Sequence, residues 1–210
     1  MEPGRAIGRS TTNHERKSIS VGFCPQHFEE GTHMCLVFRD ETNRRKIVSR
    51  FVESGIAESE RVYYFADTAQ PSDVLDWLES LDVDVSDALA ASELTVAEAL
   101  ATYCPDGCFD PDRMLATLRS AYSSSVDGGY PASRVTGEMS WALREVPGAE
   151  RLMEYEAAVN EAVKTHPITA MCQYDANRFD GRVIFQALQV HPYMVMNGQL
   201  VRNPYYAPRE

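Results

Sequence analysis

Short apolar runs alternate along the chain with longer segments in which apolar residues recur every three or four positions. The runs have the length of buried β-strands, and the longer segments have the spacing of amphipathic helices. The predicted strands cover residues 33–38, 61–66, 93–97, 133–139, 168–174 and 193–196. Helical patterns lie between them. This alternation predicts an α/β fold with a mostly parallel central sheet flanked by helices on both faces.

Several of the predicted elements carry start or stop signals. Asp110, which precedes a proline, and Asp180 are both expected to cap the beginnings of helices. Gly55 is expected to end the helix that follows the first strand. The pair Asn197-Gly198 predicts a tight hairpin after the last strand.

The chain of 210 residues has the length of one domain. Residues 1–30 are polar and weakly periodic, which predicts a flexible N-terminal arm with at most a short element near residues 18–23, and residues 31–206 are expected to form a single domain. The sequence contains no apolar stretch of about 18 residues and no apolar signal-peptide core. Five cysteines at scattered spacings fit reduced thiols. We therefore expect a cytoplasmic protein that has no membrane partner.

The formal net charge of −11 is concentrated in residues 71–127. Such a surface repels phosphate backbones, so direct nucleic-acid binding is not expected. The acidic segment is either a docking face for a basic partner or a solvated, solubilising face, and the second interpretation is the simpler.

The loop after the first strand, residues 38–46, is the place where a nucleotide-binding protein would carry a glycine-rich phosphate loop. Here the loop has no glycine and contains two acidic side chains, which oppose a triphosphate. Arg39, Arg44, Arg45 and Lys46 could still meet an anion. ATP hydrolysis is not expected, and the sequence predicts no enzyme and no catalytic residue.

Ligands of parallel α/β sheets bind beyond the carboxyl ends of the strands. Asp67 and Glu138 end two predicted strands, where each could be a general base, a metal ligand or a turn residue. His33 and His191 flank the first and last strands, and adjacent strands could bring them together; a purely structural role for both stays open.

Two cysteine-containing pairs could in principle bind a metal ion. Cys24 and His27 have C-x2-H spacing, and Cys104 and Cys108 have C-x3-C spacing. The pairs lie far apart in the sequence and match no common zinc finger, so no metal site is predicted and the cofactor is unknown. Cys35 and Cys172 lie inside predicted strands and are interpreted as packing residues, and a redox- or electrophile-sensing thiol stays open as the alternative.

A series of short motifs resembles the MEDS domain, the methanogen/methylotroph sensory domain of the dichloromethane-dehalogenase regulator type. The similarity covers about residues 30–206. The motifs follow one another in this order: His33-Met34-Cys35, Glu60-Arg61-Val62-Tyr63-Tyr64, Gly137-Glu138-Met139-Ser140-Trp141, Tyr155-Glu156, Cys172-Gln173-Tyr174-Asp175, His191-Pro192 and Asn203-Pro204-Tyr205.

The resemblance implies a RecA/KaiC-like P-loop fold with a degenerate phosphate loop. It also implies signal transduction in transcription regulation, with a small molecule such as a hydrocarbon derivative as the input. Family members occur fused to DNA-binding or histidine-kinase modules, or alone beside regulators. No effector module is recognisable in this chain, so we expect the output to pass through a regulatory protein partner or through assembly into a homo-oligomer.

The expected function is therefore that of a non-catalytic sensory domain that binds a small molecule. The residues expected to bind this ligand lie at strand ends or in the matched motifs, and they are His33, Phe38, Arg39, Asp67, Glu138, Trp141, Tyr174 and His191. Two alternatives stay open: a residual nucleotide binder or NTPase-like enzyme, and a ligand-free interaction module of an anti-sigma or kinase system.

Overall fold

The computed structural model describes residues 16–208, in which nine strands and seven α-helices alternate. The strands are β1 Ser18–Ser20, β2 His27–Glu29, β3 His33–Phe38, β4 Arg61–Ala66, β5 Leu94–Glu98, β6 Ser133–Glu138, β7 Ile168–Asp175, β8 Tyr193–Met196 and β9 Gln199–Arg202. The helices are α1 Glu41–Ala57, α2 Pro71–Glu79, α3 Val85–Ala90, α4 Ala99–Tyr103, α5 Pro111–Asp127, α6 Leu152–Thr165 and α7 Gly181–Val190. Two short 3-10 helices cover Met139–Leu143 and Ala149–Arg151.

Seven of the strands form one sheet in the order β5-β4-β6-β7-β3-β8-β9. Neighbouring strands are parallel except for β8 and β9, which form an antiparallel hairpin. Asn197 and Gly198 form its turn with φ values of 51° and 70°, the positive angles that a two-residue turn requires. The predicted mostly parallel α/β sheet and its terminal hairpin are confirmed.

Alternate side chains of each strand enter two hydrophobic cores on opposite faces of the sheet, as the period of two in a strand dictates. Met34 and Leu36 of β3 pack beneath α1, α2 and α3. Cys35 of the same strand packs with Cys172 of β7 beneath α4, α5, α6 and α7. Helices on both faces explain why β3 is a nearly continuous apolar run without alternation.

The predicted helix starts are confirmed, but the predicted helix end at Gly55 is wrong. Asp110 Oδ1 accepts a hydrogen bond from Arg113 N at 3.0 Å, and Asp180 Oδ1 accepts one from Val183 N at 2.8 Å. Helix α1 instead continues through Gly55 to Ala57. A Cβ at position 55 would lie 2.8 Å from Cγ2 of Val62, so this glycine lets the helix pack closely on β4.

Residues 16–30 differ from the flexible arm that the sequence predicts for residues 1–30. β1 and β2 form an antiparallel pair, and the side chains of Ile19 and Val21 are buried. Ser20 O accepts a hydrogen bond from Arg134 of β6 at 3.0 Å. These contacts join residues far apart in sequence, so local periodicity could not reveal them. Residues 1–15 of the predicted arm lie outside the described residues.

Candidate functional site

The structure distributes the eight predicted ligand residues over four places. His33, Tyr174 and His191 meet in a buried cluster between the sheet and α6. Asp67 and Glu138 belong to ion pairs at the carboxyl ends of β4 and β6. The remaining three lie elsewhere: Phe38 and Arg39 line a cleft, and Trp141 is part of an aromatic core.

The buried cluster is formed by four side chains from different elements, and we call it the His-Cys-Glu cluster: His33 of β3, Cys172 of β7, Glu156 of α6 and His191, which follows α7. Glu156 Oε2 lies 3.2 Å from His33 Nε2 and 3.4 Å from His191 Nε2. Cys172 Sγ lies 3.2 Å from the same oxygen and 3.5 Å from His33 Nε2. Tyr174 Oη donates to the other carboxylate oxygen, Oε1, at 2.6 Å. All four members of the cluster are buried.

Hydrogen bonds on the outer side of each imidazole fix its tautomer. His191 Nδ1 lies 2.7 Å from the carbonyl oxygen of Ala187, which can only accept, so this nitrogen carries a proton. Asn160 Nδ2 donates to Val190 O at 2.8 Å, which turns the amide oxygen of Asn160 toward His33 Nδ1 at 2.9 Å. Both rings therefore carry a proton on the outer nitrogen, Nδ1, and turn Nε2 into the cluster.

Burial and the contacts within the cluster shift the pKa values of its members. Burial alone would raise the pKa of Glu156, but His191 and His33 hold it well below its usual value, so the carboxylate is ionised. Burial, together with His191, lowers the pKa of His33. Burial and the nearby carboxylate raise the pKa of the Cys172 thiol well above its usual value. No Arg or Lys between residues 16 and 208 forms an ion pair with Glu156.

Sequence reasoning did not select Glu156 as a site residue, and it interpreted Cys172 as a packing residue or a sensing thiol, not as a metal ligand. Glu156 lies on an amphipathic helix, where a single acid normally faces solvent. Cys172 becomes a neighbour of His33 only because β7 pairs with β3, with Cys35 opposite Cys172. The one available signal was that Glu156 and Cys172 both lie in motifs shared with the sensory family.

The four weak metal-ligand candidates of the sequence analysis are not brought into one group. Cys24 is buried in the core beneath α1, and Cys104 is buried in the core on the opposite face of the sheet. His27 is exposed on β2, and Cys108 is partly exposed. Because the sheet separates the two pairs, they cannot share a tetrahedral ion in this fold.

A second buried polar group, which we call the Arg44 network, lies on the other face of the sheet. Arg44, in the first turns of α1, is 1% exposed. It donates to Tyr64 Oη at 2.9 Å, to Gln173 Oε1 at 2.7 Å and to Glu138 Oε1 at 3.1 Å. Its outer edge forms an ion pair with Glu41. The cation is thus held inside the protein.

The two predicted strand-end acids are also held by specific partners. Glu138 Oε2 accepts hydrogen bonds from Thr68 N at 2.8 Å and from Thr68 Oγ1 at 2.6 Å. Burial raises the pKa of Glu138, but Arg44 and Thr68 outweigh it and leave the pKa below its usual value. Asp67 accepts from Ser140 Oγ at 2.7 Å and pairs with Arg144 at 2.8 Å. In this arrangement neither carboxylate is a free general base.

A cleft of about 430 Å³ opens beyond the carboxyl ends of β3 and β8, between α1, α7 and the hairpin turn. Its walls combine apolar side chains, among them Val37, Phe38, Ile184, Leu188 and Met194, with polar groups. The polar groups come from the loop after β3, the first turn of α1 and the hairpin turn: Arg39, Asp40, Asn43 and Asn197.

Trp141 does not reach this cleft. Its ring stacks on Tyr103, with the centroids 4.9 Å apart and the planes 20° from parallel. Phe109 packs against the same indole at 4.8 Å. The side chain is fully buried, so in this structure Trp141 stabilises the core beneath α4 and α5.

Comparisons with known proteins identify relatives of both sequence and fold. The model of the MEDS family, described as the methanogen/methylotroph, DcmR sensory domain, matches residues 32–192. The transcriptional repressor DcmR of Methylorubrum extorquens is 24% identical over 160 residues. That alignment covers 76% of this chain and 57% of the repressor, so the chain spans little more than half of that relative's length.

Solved structures share the fold at low sequence identity. The KaiC-like protein PH0186 from Pyrococcus horikoshii OT3 has a TM-score of 0.62 at 14% identity, covering 86% of this chain and 80% of that one. The flagellar accessory protein FlaH from Methanocaldococcus jannaschii has a TM-score of 0.62 at 12% identity, covering 89% and 84%. Among the described residues, every helix is too short or too polar to cross a bilayer. On a KaiC-like, RecA-type fold, the chain belongs to the MEDS family of sensory domains.

Proposed function

We propose that this chain is a non-catalytic sensory domain whose input is a small organic molecule bound in the cleft beyond β3 and β8. The observation that carries the proposal is the cleft itself, since it lies at the carboxyl edge of a parallel sheet, where ligands of α/β proteins bind. Its volume of about 430 Å³ is that of a small-ligand site. Apolar walls with a few polar groups suit a compact molecule that carries one polar function.

The loop after β3 supports an uncharged or weakly charged ligand over a nucleotide. Asp40 Oδ1 accepts a hydrogen bond from Asn43 N at 2.6 Å, so a carboxylate already occupies the N-terminus of α1. In a phosphate-binding loop, glycine amides and the helix N-terminus face the anion instead. Arg44, in the first turn of α1, is committed to Glu138 and Glu41.

The position of the cleft gives a route for the signal. One wall is the β8–β9 hairpin at the edge of the sheet, and the opposite wall is α1. A ligand that contacts both walls favours the arrangement in which it binds more tightly. The changed edge is then available to a regulatory protein or to a second copy of the chain, which carries the output.

Thermal unfolding of the purified chain with small alcohols, aldehydes, carboxylates and haloalkanes, and separately with Mg-ATP, tests the proposal. We expect at least one small compound to raise the melting temperature saturably and without turnover. Ile184→Trp, which fills the cleft, should abolish that shift, whereas Val126→Trp, on the exposed face of α5, should retain it. A shift with Mg-ATP alone would support the nucleotide alternative, and a folded protein that responds to none of the compounds would contradict the proposal.

A further inference from the structure

We propose that the His-Cys-Glu cluster is a metal site in which His33, Cys172, Glu156 and His191 together bind one zinc ion. Two imidazole nitrogens, one thiolate sulfur and one carboxylate oxygen form a common type of donor set for Zn²⁺. Hard cations such as Mg²⁺ and Ca²⁺ prefer oxygen ligands, so the set selects against them. The proposal does not depend on the small-molecule cleft.

The spacing of the four donor atoms fits a tetrahedral ion. Zinc bonds of about 2.0–2.3 Å at tetrahedral angles place neighbouring donor atoms roughly 3.3–3.6 Å apart. In the cluster, Glu156 Oε2 is 3.2 Å from His33 Nε2 and 3.4 Å from His191 Nε2. Cys172 Sγ is 3.5 Å from His33 Nε2 and 3.2 Å from the carboxylate oxygen. All four donor atoms lie within 4.8 Å of one another.

The outer hydrogen bonds prepare both histidines as ligands. Metal-binding imidazoles usually donate their second N–H to a carbonyl or an amide oxygen, which fixes the tautomer and orients the ring. Ala187 O accepts from His191 Nδ1, and Asn160 Oδ1 accepts from His33 Nδ1. Each ring therefore offers an Nε2 lone pair to the centre of the cluster.

One buried atom of the cluster, His191 Nε2, has no hydrogen-bond partner in the described structure. A buried polar atom without a partner costs free energy, and its lone pair is directed at the other three donor atoms. Coordination of a metal ion would satisfy it.

Binding also balances the charge of the cluster. When Zn²⁺ enters, the Cys172 thiol releases its proton to solvent and forms a thiolate–zinc bond. Two positive charges then face the Cys172 thiolate and the Glu156 carboxylate, so the centre becomes neutral. In the metal-free arrangement, the Glu156 carboxylate is buried without an Arg or Lys partner in residues 16–208.

The burial of the cluster indicates what the ion does. A catalytic zinc keeps an open position for water or substrate, whereas a structural zinc has four protein ligands. Here the four ligands come from β3, β7, α6 and the end of α7, and all are buried. The ion would tie these elements together, and β8 begins two residues after His191.

Metal analysis and spectroscopy of the full chain test this site. Chain purified without chelators should contain one equivalent of zinc. X-ray absorption at the zinc edge of this unmutated chain should show one sulfur and three nitrogen or oxygen ligands. Replacement by Co²⁺ should give the visible spectrum of a tetrahedral centre with a thiolate-to-cobalt band.

Cys172→Ser should remove the thiolate-to-cobalt band and lower Co²⁺ affinity at least tenfold. The matched control Cys104→Ser replaces a buried cysteine outside the cluster and should change neither. A folded wild-type chain that takes up no Co²⁺ or Zn²⁺, or zinc without a sulfur ligand, would overturn the proposal. Loss of the band in Cys104→Ser but not in Cys172→Ser would overturn it equally. If the chain binds no metal, the melting-temperature shifts expected from ligands of the cleft are unaffected. The two proposals can therefore fail independently.

Discussion

Two buried carboxylates on opposite faces of the sheet, Glu138 and Glu156, differ in their partners. Glu138 has its own guanidinium, because Arg44 reaches it from α1 at 3.1 Å. Glu156 contacts the Tyr174 hydroxyl, the Cys172 thiol and two imidazoles. Among the described residues, the Arg44 network therefore includes an arginine, whereas the His-Cys-Glu cluster includes neither Arg nor Lys.

The comparison shows that burial and polarity do not by themselves mark a functional site. In the Arg44 network, the carboxylate, the guanidinium and the hydroxyl donors satisfy one another. A carboxylate beside two ring nitrogens and a thiol is instead a set of donor atoms for a metal ion.

Arg44→Met should produce the largest loss of stability. It leaves the Glu138 carboxylate buried without a cation, which costs about 3–5 kcal/mol of the free energy of unfolding. Arg45→Met is the matched control, because Arg45 is 42% exposed and pairs with Glu41 on the surface, and it should cost less than about 1 kcal/mol. Urea unfolding measures both. Equal losses in the two variants would show that the Arg44 network is not the closed ion pair described.

Glu138→Gln and Glu156→Gln should respond differently to metal. Glu138→Gln removes a charged hydrogen-bond acceptor and should cost about 2 kcal/mol, with or without a chelator. Glu156→Gln should cost a similar amount in zinc-loaded protein but less after zinc has been removed, because only the loaded protein loses a carboxylate ligand of the ion. Chemical unfolding with and without chelator provides the comparison. If Glu156→Gln loses the same unfolding free energy with and without chelator, the two carboxylates do not differ in their response to metal, and the account is contradicted.

Acid should reduce the contribution of the Glu138 carboxylate to the free energy of unfolding. Although burial raises its pKa, Arg44 and Thr68 bring it below the usual value, so the folded protein binds fewer protons here than the unfolded chain. The contribution is therefore present above the ordinary glutamate pKa and is lost as the pH falls through the folded pKa. The difference in unfolding free energy between wild type and Glu138→Gln should narrow from pH 7 toward about pH 3. A difference that widens on acidification would contradict this sign.

The smallest effect is expected at the mouth of the cleft. Asp40→Ala removes the N-cap of α1 and should cost about 1 kcal/mol, whereas Asp40→Asn keeps a capping oxygen and should cost only a few tenths. Thermal or urea unfolding distinguishes the two. If Asp40→Asn also creates a melting-temperature shift with Mg-ATP, charge at this position is what excludes phosphate. If both variants lose the same unfolding free energy, the hydrogen bond from Asn43 N to the Asp40 side chain does not stabilise α1.

The fold could be predicted from the sequence because its signals are local. The strands at residues 33–38 and 61–66 are apolar runs of the right length, and Asp110 caps its helix through a contact three residues away. The prediction at Gly55 was wrong because a glycine near the end of a helix can either terminate the helix or allow close packing against a neighbouring element. Here it allows close packing on β4, a contact that only the tertiary structure shows.

The candidate sites were harder to predict because they depend on pairing across the sheet. The positions of His33 and His191 at the first and last strands suggested that they could come together, but Glu156 on α6 resembles any polar residue of an amphipathic helix. Arg44 was interpreted as a cation that could meet an external anion. In the structure its guanidinium turns inward to Glu138, a partner 94 positions away along the chain.

Native mass spectrometry of the unmutated chain, purified without chelator, tests most directly the claim that the His-Cys-Glu cluster needs an external cation. We expect the folded protein to have the mass of the chain plus one zinc ion, and the acid-denatured protein to have the mass of the bare chain. Addition of one equivalent of Zn²⁺ after chelation should restore the bound mass and raise the melting temperature. A folded chain with the bare mass in both states, unchanged by added zinc, would contradict the account.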